Sequence, residues 1–140
     1  LEAAIYTKKK RYFESALKIS YKLLELQRPD GSLQGSFNKE WKSSAEWSCL
    51  TGNCQMSIIW QKLYKITKEE KFKNAAVKSN SFMKTMQNLK SSNQGVKGGI
   101  AGAYPIYGWY APFCFPNWAV KFFIDALMIE EDQKFFDKAG

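Results

Sequence analysis

Two groups of residues in this chain could bind or act on a polar ligand. The first lies in the stretch 104–118, which holds Tyr104, Tyr107, Trp109, Tyr110, Phe113, Phe115 and Trp118, with Asn117 among them. Flat aromatic faces stack on the C–H faces of sugars, and the Tyr and Trp edges hydrogen-bond hydroxyl groups. A loop this long is functional or disordered, and its aromatic content argues against disorder. The competing reading is a loop that folds over the end of a helical assembly and buries its own rings. The second group is Glu40, Trp41, Glu46 and Trp47. A carboxylate beside two indole rings would have a raised pKa and could serve as acid or base. Asp30, Glu40 or Asp125 could partner Glu46, and two carboxylates are the minimum for glycoside hydrolysis. Tyr104, Tyr107 and Tyr110 are further acid–base candidates. The catalytic candidates are therefore Glu46, Asp125 and Tyr107. The binding candidates are Trp41, Trp47, Tyr104, Trp109, Tyr110, Asn117 and Trp118. Each acid also has a structural role to fill. Glu46 suits a helix N-terminus, Asp30 suits a turn, and Asp125 is four residues from a possible partner, Lys121.

Composition removes several chemistries. The chain has 140 residues and no histidine, which excludes Ser-His and Cys-His catalysis and the common zinc sites. No metal or cofactor is expected. Its three cysteines, Cys49, Cys54 and Cys114, do not form a disulfide framework and are expected to be free and mostly buried. One of them could be a redox-sensitive thiol. The net charge of +8 is concentrated in Lys8-Lys9-Lys10-Arg11 and in scattered lysines. It fits a solvated helix start, or an anionic partner such as an acidic polysaccharide. The charges do not interleave with the aromatics, so no nucleic-acid partner is expected. The Gly95–Gly102 stretch lacks the strand and the Gly-Lys-Ser/Thr ending of a phosphate loop. No apolar run reaches the roughly 18 residues of a membrane span. The chain begins with Leu1 and shows no leader, so an excised piece of a longer protein is expected. The compartment is open, with the cytoplasm favoured.

The positions of these residues follow from an internal repeat. Thr7-Lys8 through Gln27 aligns without a gap on Thr67-Lys68 through Gln87. Gly31-Ser32-Leu33-Gln34-Gly35-Ser36-Phe37 answers Gly98-Gly99-Ile100-Ala101-Gly102-Ala103-Tyr104. Trp47 and Trp118 each open an apolar run and stand as equivalents. A third copy is expected from about Ile129, where Lys134-Phe135 echo Lys71-Phe72. Repeat one covers about 6–65, repeat two about 66–129 and the start of a third 130–140, all in one helical-repeat domain.

Hydrophobic periodicity gives an amphipathic helix over 8–27, ended by Arg28-Pro29-Asp30-Gly31. A second helix is expected from about Ser44 to Lys65, capped by Ser43 or Ser44, with Glu46 in its first turn. It is apolar nearly all round, which suggests burial on several sides. Thr67 would cap a third helix over 68–88 with Glu70 at the capping-box position. A loop over 89–115 leads to a fourth helix from about Pro116, and a short polar fifth is expected after it. The class is all-α: antiparallel helical hairpins with amphipathic helices outside and apolar helices inside, about two and a half hairpins, and long Gly- and aromatic-rich loops.

Leu23-x-x-x-Gln27 before Asp30-Gly31-Ser32-Leu33, and Thr51-Gly52-Asn53-Cys54-Gln55 through Leu63-Tyr64 to Gln87, resemble the α/α-toroid repeat. That repeat is shared by terpenoid cyclases and prenyltransferases and by six-hairpin glycosidases, lyases and epimerases. The Gln before a Gly-containing turn resembles the QW motif, in which the Gln ties outer helices together. The loop from Gly98 to Tyr110, with Phe115 to Trp118, resembles segments of proteins of surface-polysaccharide metabolism. The resemblance implies a carbohydrate-binding or carbohydrate-active toroid piece. The acidic cluster and zinc ligands of the isoprenoid enzymes are missing, which sets that chemistry last. A non-catalytic repeat module that binds a protein, or assembles into a homo-oligomer through exposed repeat faces, is the alternative.

Overall fold

The computed structural model describes residues 1–139, with side-chain surroundings described through Asp132. The chain forms helices α1 (Glu2–Thr7), α2 (Lys10–Leu26), α3 (Leu50–Thr67), α4 (Glu70–Met86) and α5 (Asn117–Ala139). Two-residue strands β1 (Ser48–Cys49) and β2 (Ala103–Tyr104) pair antiparallel, Ser48 opposite Tyr104. The chain is thus mostly helical, with one short ladder between loops.

The sequence repeat is also a repeat of backbone geometry. α1 and α3 both end on a lysine in the left-handed region, Lys8 at φ 54° and Lys68 at φ 61°. α2 and α4 each have 17 residues. Both stop at a glutamine that swings to an extended conformation, Gln27 at φ −67° and Gln87 at φ −71°. α1 therefore corresponds to the last turns of α3. The same hydrogen bonds close both turns. In the first, Arg28 N–H donates to Ser32 O at 2.9 Å and Gly31 N–H to Arg28 O at 2.9 Å. In the second, Asn88 N–H donates to Gly99 O at 3.0 Å and Gly98 N–H to Asn88 O at 2.6 Å. Asp30 plays the turn role, with Oδ1 accepting from the Ser32 amide at 2.9 Å and hydroxyl at 2.6 Å. Burial opposes ionisation of Asp30, but these two bonds and the Arg28 charge outweigh it and hold the carboxyl below its usual range.

α3 is central. It packs chiefly on α4 and α5, and its buried residues include Leu50, Cys54, Trp60 and Leu63. One apolar cluster joins Trp60 and Leu63 to Phe72, Ala75, Ala76 and Leu33. Another joins Leu50 and Cys54 to Phe82, Met83, Ile100 and Phe123. Polar contacts fix the register between these helices. Ser57 Oγ donates to Asn80 Oδ1 at 2.6 Å, Asn80 Nδ2 to Glu130 Oε2 at 2.6 Å, and Gln61 Nε2 to Ala126 O at 2.9 Å. Lys84 completes the group with an ion pair to Glu130 at 3.2 Å. Hydrogen bonds that reach across three helices in this way favour one alignment of them.

Several expected boundaries move. The second helix begins at Leu50, not Ser44, because residues 43–49 are committed to loop and ladder bonds. Its N-cap is Cys49, whose Sγ accepts from Gly52 N–H at 3.3 Å, rather than Ser43 or Ser44. Glu69 replaces Thr67 as the N-cap of α4, and no side-chain capping bond forms there. Thr67 instead donates to Leu63 O at 3.0 Å and accepts from Glu69 N–H at 3.3 Å. The short polar fifth helix does not separate: α5 runs unbroken to Ala139, through the region where a third copy was expected. The side chains of Lys134 and Phe135, which carried that expectation, lie outside the described residues.

The first turn docks on α4. Gln27 Nε2 donates to Gly31 O at 3.0 Å and to Ala75 O at 2.9 Å. Gly31 has φ +90°, and a Cβ there would lie 2.2 Å from Lys78 O. Gly31→Ala should therefore lose about 1–3 kcal/mol of unfolding free energy from the left-handed backbone, with the carbonyl clash added. Gly98→Ala shares the conformation without the clash and should lose less. Urea denaturation of both variants measures the difference.

Candidate ligand cleft between two loops

Trp47 is the anchor of a polar cleft. It lies in the strand-like segment before α3, where Gly35 N–H donates to Trp47 O at 2.7 Å. A Cβ on Gly35 would lie 2.2 Å from Trp47 Cζ3, and one on Gly108 would lie 2.7 Å from Trp47 Cβ. The indole is thus wedged between two loops at positions where only glycine leaves room. The β1–β2 ladder and the Leu50 N–H bond to Gly102 O at 3.1 Å lock those loops together.

The result is a cleft of about 380 Å³ lined by residues 44–47 and by Pro105, Tyr107, Gly108 and Trp109. Trp109 is 87% exposed and Tyr107 67% exposed. An indole this open is unusual, because Trp normally buries most of its large apolar surface. Glu46 is exposed and is the one carboxylate among the residues lining the cleft. No lysine or arginine lines it.

The other candidate residues sit elsewhere. Glu46 precedes β1 and is outside any helix, so the helix-dipole role does not apply. Asp125 lies on α5, ion-paired and hydrogen-bonded to Lys121 as the four-residue spacing suggests, and does not line the cleft. Trp41 takes a left-handed conformation at φ 63°, tilts against Phe37 at 6.3 Å, and overhangs α2 instead of joining Trp47. Tyr104 meets Phe82 edge-on at 6.4 Å. Trp118 Nε1 donates to the Tyr110 hydroxyl at 3.0 Å, beside exposed Asn117. The aromatic stretch therefore splits, and only Tyr107 and Trp109 reach Trp47.

The equivalence of Trp47 and Trp118 does not hold. Gly102 N–H donates to Cys114 O at 3.0 Å, as Gly35 N–H donates to Trp47 O, so Cys114 is the counterpart of Trp47. Each stands three residues before its helix, at Leu50 and Asn117. The wedging glycines Gly35 and Gly108 escaped the sequence reading. Gly35 was visible as the partner of Gly102 in the repeat, whereas Gly108 carried no local signal. The thiols also divide: Cys54 is buried, Cys49 partly buried, and Cys114 exposed, against the expectation of mostly buried thiols. Among the described residues, no cluster of potential metal ligands is present.

Two outcomes are expected. Gly108→Ala should displace Trp47 and cost about 1–3 kcal/mol through overpacking, whereas Trp109→Ala should leave thermal stability nearly unchanged. Calorimetry of both variants tests this. Cys114 should react with a chromogenic disulfide within the dead time of mixing at about pH 8. Burial pushes the Cys54 thiol up to about 12, so it should react only on unfolding.

No protein-family model matches the chain, and no curated protein or solved structure matches it.

Proposed function

We propose that the cleft between the two loops binds a neutral oligosaccharide, and that the chain is an arc of an α/α toroid presenting it. The observation that carries this reading is the convergence of Trp47, Tyr107 and Trp109 around Glu46 in one cleft. The exposed Trp109 ring offers a stacking face, and Trp47 offers a held platform beside it. The Glu46 carboxylate accepts hydroxyl hydrogen bonds, and charge-assisted bonds of this kind are the stronger ones. The lack of a lining cation favours neutral over acidic sugars. The overall charge of +8 attracts anions from a distance, but screening confines that attraction, and at contact Glu46 repels a uronate.

Binding is favoured over hydrolysis because the cleft holds one carboxylate where paired-acid chemistry needs two. The toroid reading rests on the repeated helix hairpins and on Gln27 bridging α2 to α4. In that arrangement the cleft opens at the end where the Gly-rich loops gather.

Calorimetric titration with neutral and uronate oligosaccharides tests the reading. Trp109→Ala should weaken neutral binding about tenfold, the loss of one stacking contact of about 1.5 kcal/mol. Trp118→Ala, outside the cleft, should not change it. Equal binding by wild type and Trp109→Ala, or preference for uronates, would overturn the proposal.

A further inference from the structure

The intramolecular contact between the first turn and α4 has a donor side and an acceptor side, and each recurs unoccupied elsewhere. The donor side is a glutamine followed by a glycine in the left-handed region. Gln27 bonds to Gly31 O and to Ala75 O, while Gly31 presses on Lys78 O. The second turn repeats this device. Gln87 Nε2 donates to Gly98 O at 3.1 Å, and Gly98 has φ +81°. At Gly98, however, a Cβ would meet nothing within 4 Å. Among the described residues, no helix lies against it as α4 lies against Gly31.

The acceptor side recurs on α2. The offset that superimposes α2 on α4 places Ser15 at Ala75 and Lys18 at Lys78. Ala75 is 4% exposed beneath the docked turn, whereas Ser15 and Lys18 are exposed. Beside them runs a groove of about 610 Å³ lined by Leu17, Lys18, Ile19, Tyr21, Lys22 and Trp41. Ile19 is 48% exposed, an apolar side chain without a cover among the described residues.

We propose that this groove is the docking site for the Gln87–Gly98 turn of a second copy of this chain. The pairing reproduces between copies the contact that joins the two units within one copy. Gln87 donates to Ser15 O, as Gln27 does to Ala75 O, and Gly98 packs on Lys18 O, as Gly31 does on Lys78 O. The two surfaces differ, so the contact is heterologous. It leaves one free turn and one free groove after every addition, and growth stays open-ended unless rotation closes a ring. The proposal does not depend on the sugar-binding reading.

Sedimentation of the full chain between about 10 µM and about 1 mM tests it, at about 0.15 M salt to screen the like charge of the copies. The expected wild-type result is a weight-average mass that rises with concentration past that of a dimer. Gly98→Asn blocks the turn. Asn tolerates the left-handed backbone, and its Cβ has open space in the single copy but meets the Lys18 carbonyl on docking. Ser15→Arg blocks the docking position beside the groove, at an exposed residue. Each variant alone should stay monomeric, Ser15→Arg with an unchanged melting temperature and Gly98→Asn with one lowered only slightly. Mixed, they should give a one-to-one dimer and nothing larger, since one free turn meets one free groove. Monomeric wild type at the highest concentration would overturn the proposal and leave the groove to another occupant. Self-association of either variant alone to wild-type extent, or a mixture that stays monomeric, would overturn it equally.

Discussion

Two stretches of backbone that touch without side chains between them organise this molecule. The turn after α2 brings the Gly31 main chain onto the Lys78 carbonyl of α4, closer than any Cβ allows. That approach brings Gln27 within reach of Ala75 O and Leu33 into the cluster around Trp60 and Phe72. It also sets the path of the chain into α3. Leu33 N–H donates to Asn53 Oδ1 at 2.9 Å, Ser48 Oγ to Leu33 O at 2.6 Å, and Asn53 Nδ2 to Ser48 Oγ at 2.8 Å. From there Trp47 is placed by Gly35, and the cleft by Trp47. A second link, Tyr21 stacked on Phe72 at 5.2 Å with its hydroxyl donating to Glu69 at 2.6 Å, ties α2 to the start of α4. That bond raises the Tyr21 pKa, because ionisation would lose the donated proton and set two negative charges side by side.

The helices and their order were legible because burial leaves a period. α4 buries one face, α2 lays partly buried residues such as Leu17 and Leu24 against the Trp60 cluster, and α3 buries most of its circumference between two neighbours. The repeat was legible because it is carried by residues whose backbone roles are specific: a glutamine that ends a helix, and a glycine with positive φ. Where the reading missed, a local signal was outweighed by contacts remote in sequence. Ser43 and Ser44 look like caps, but Ser44 N–H bonds Ser36 O at 3.2 Å, and the Ser44 and Ser36 hydroxyls meet at 2.8 Å. Those bonds hold the segment extended and delay α3 to Leu50.

The grouping of the candidate cleft residues was legible in part for the same reason. Glu46, Trp47, Tyr107 and Trp109 were identifiable by type, and they do share a cleft. Trp41, Tyr110 and Trp118 are of the same type and do not line it. Aromatic spacing cannot separate these sets, because their loops are shaped by backbone exceptions. Trp41, Ala111 and Phe113 all have positive φ without being glycine. The Trp47–Trp118 equivalence failed because matching residue types suggested it, while the hydrogen bond of Gly102 picks out Cys114.

The two turns differ in length but not in closure. Asn88 and Gly98 are bonded to each other, and Asn88 is bonded again to Gly99, so the residues between them form a loop pinched shut at its base. Lengthening such a loop costs only about 0.6 kcal/mol per doubling. The helices on either side do not register the change, because the pinch has the geometry of the shorter turn. This base is a natural point for divergence. The chain can gain, lose or exchange a surface loop there while the helices on either side keep their packing.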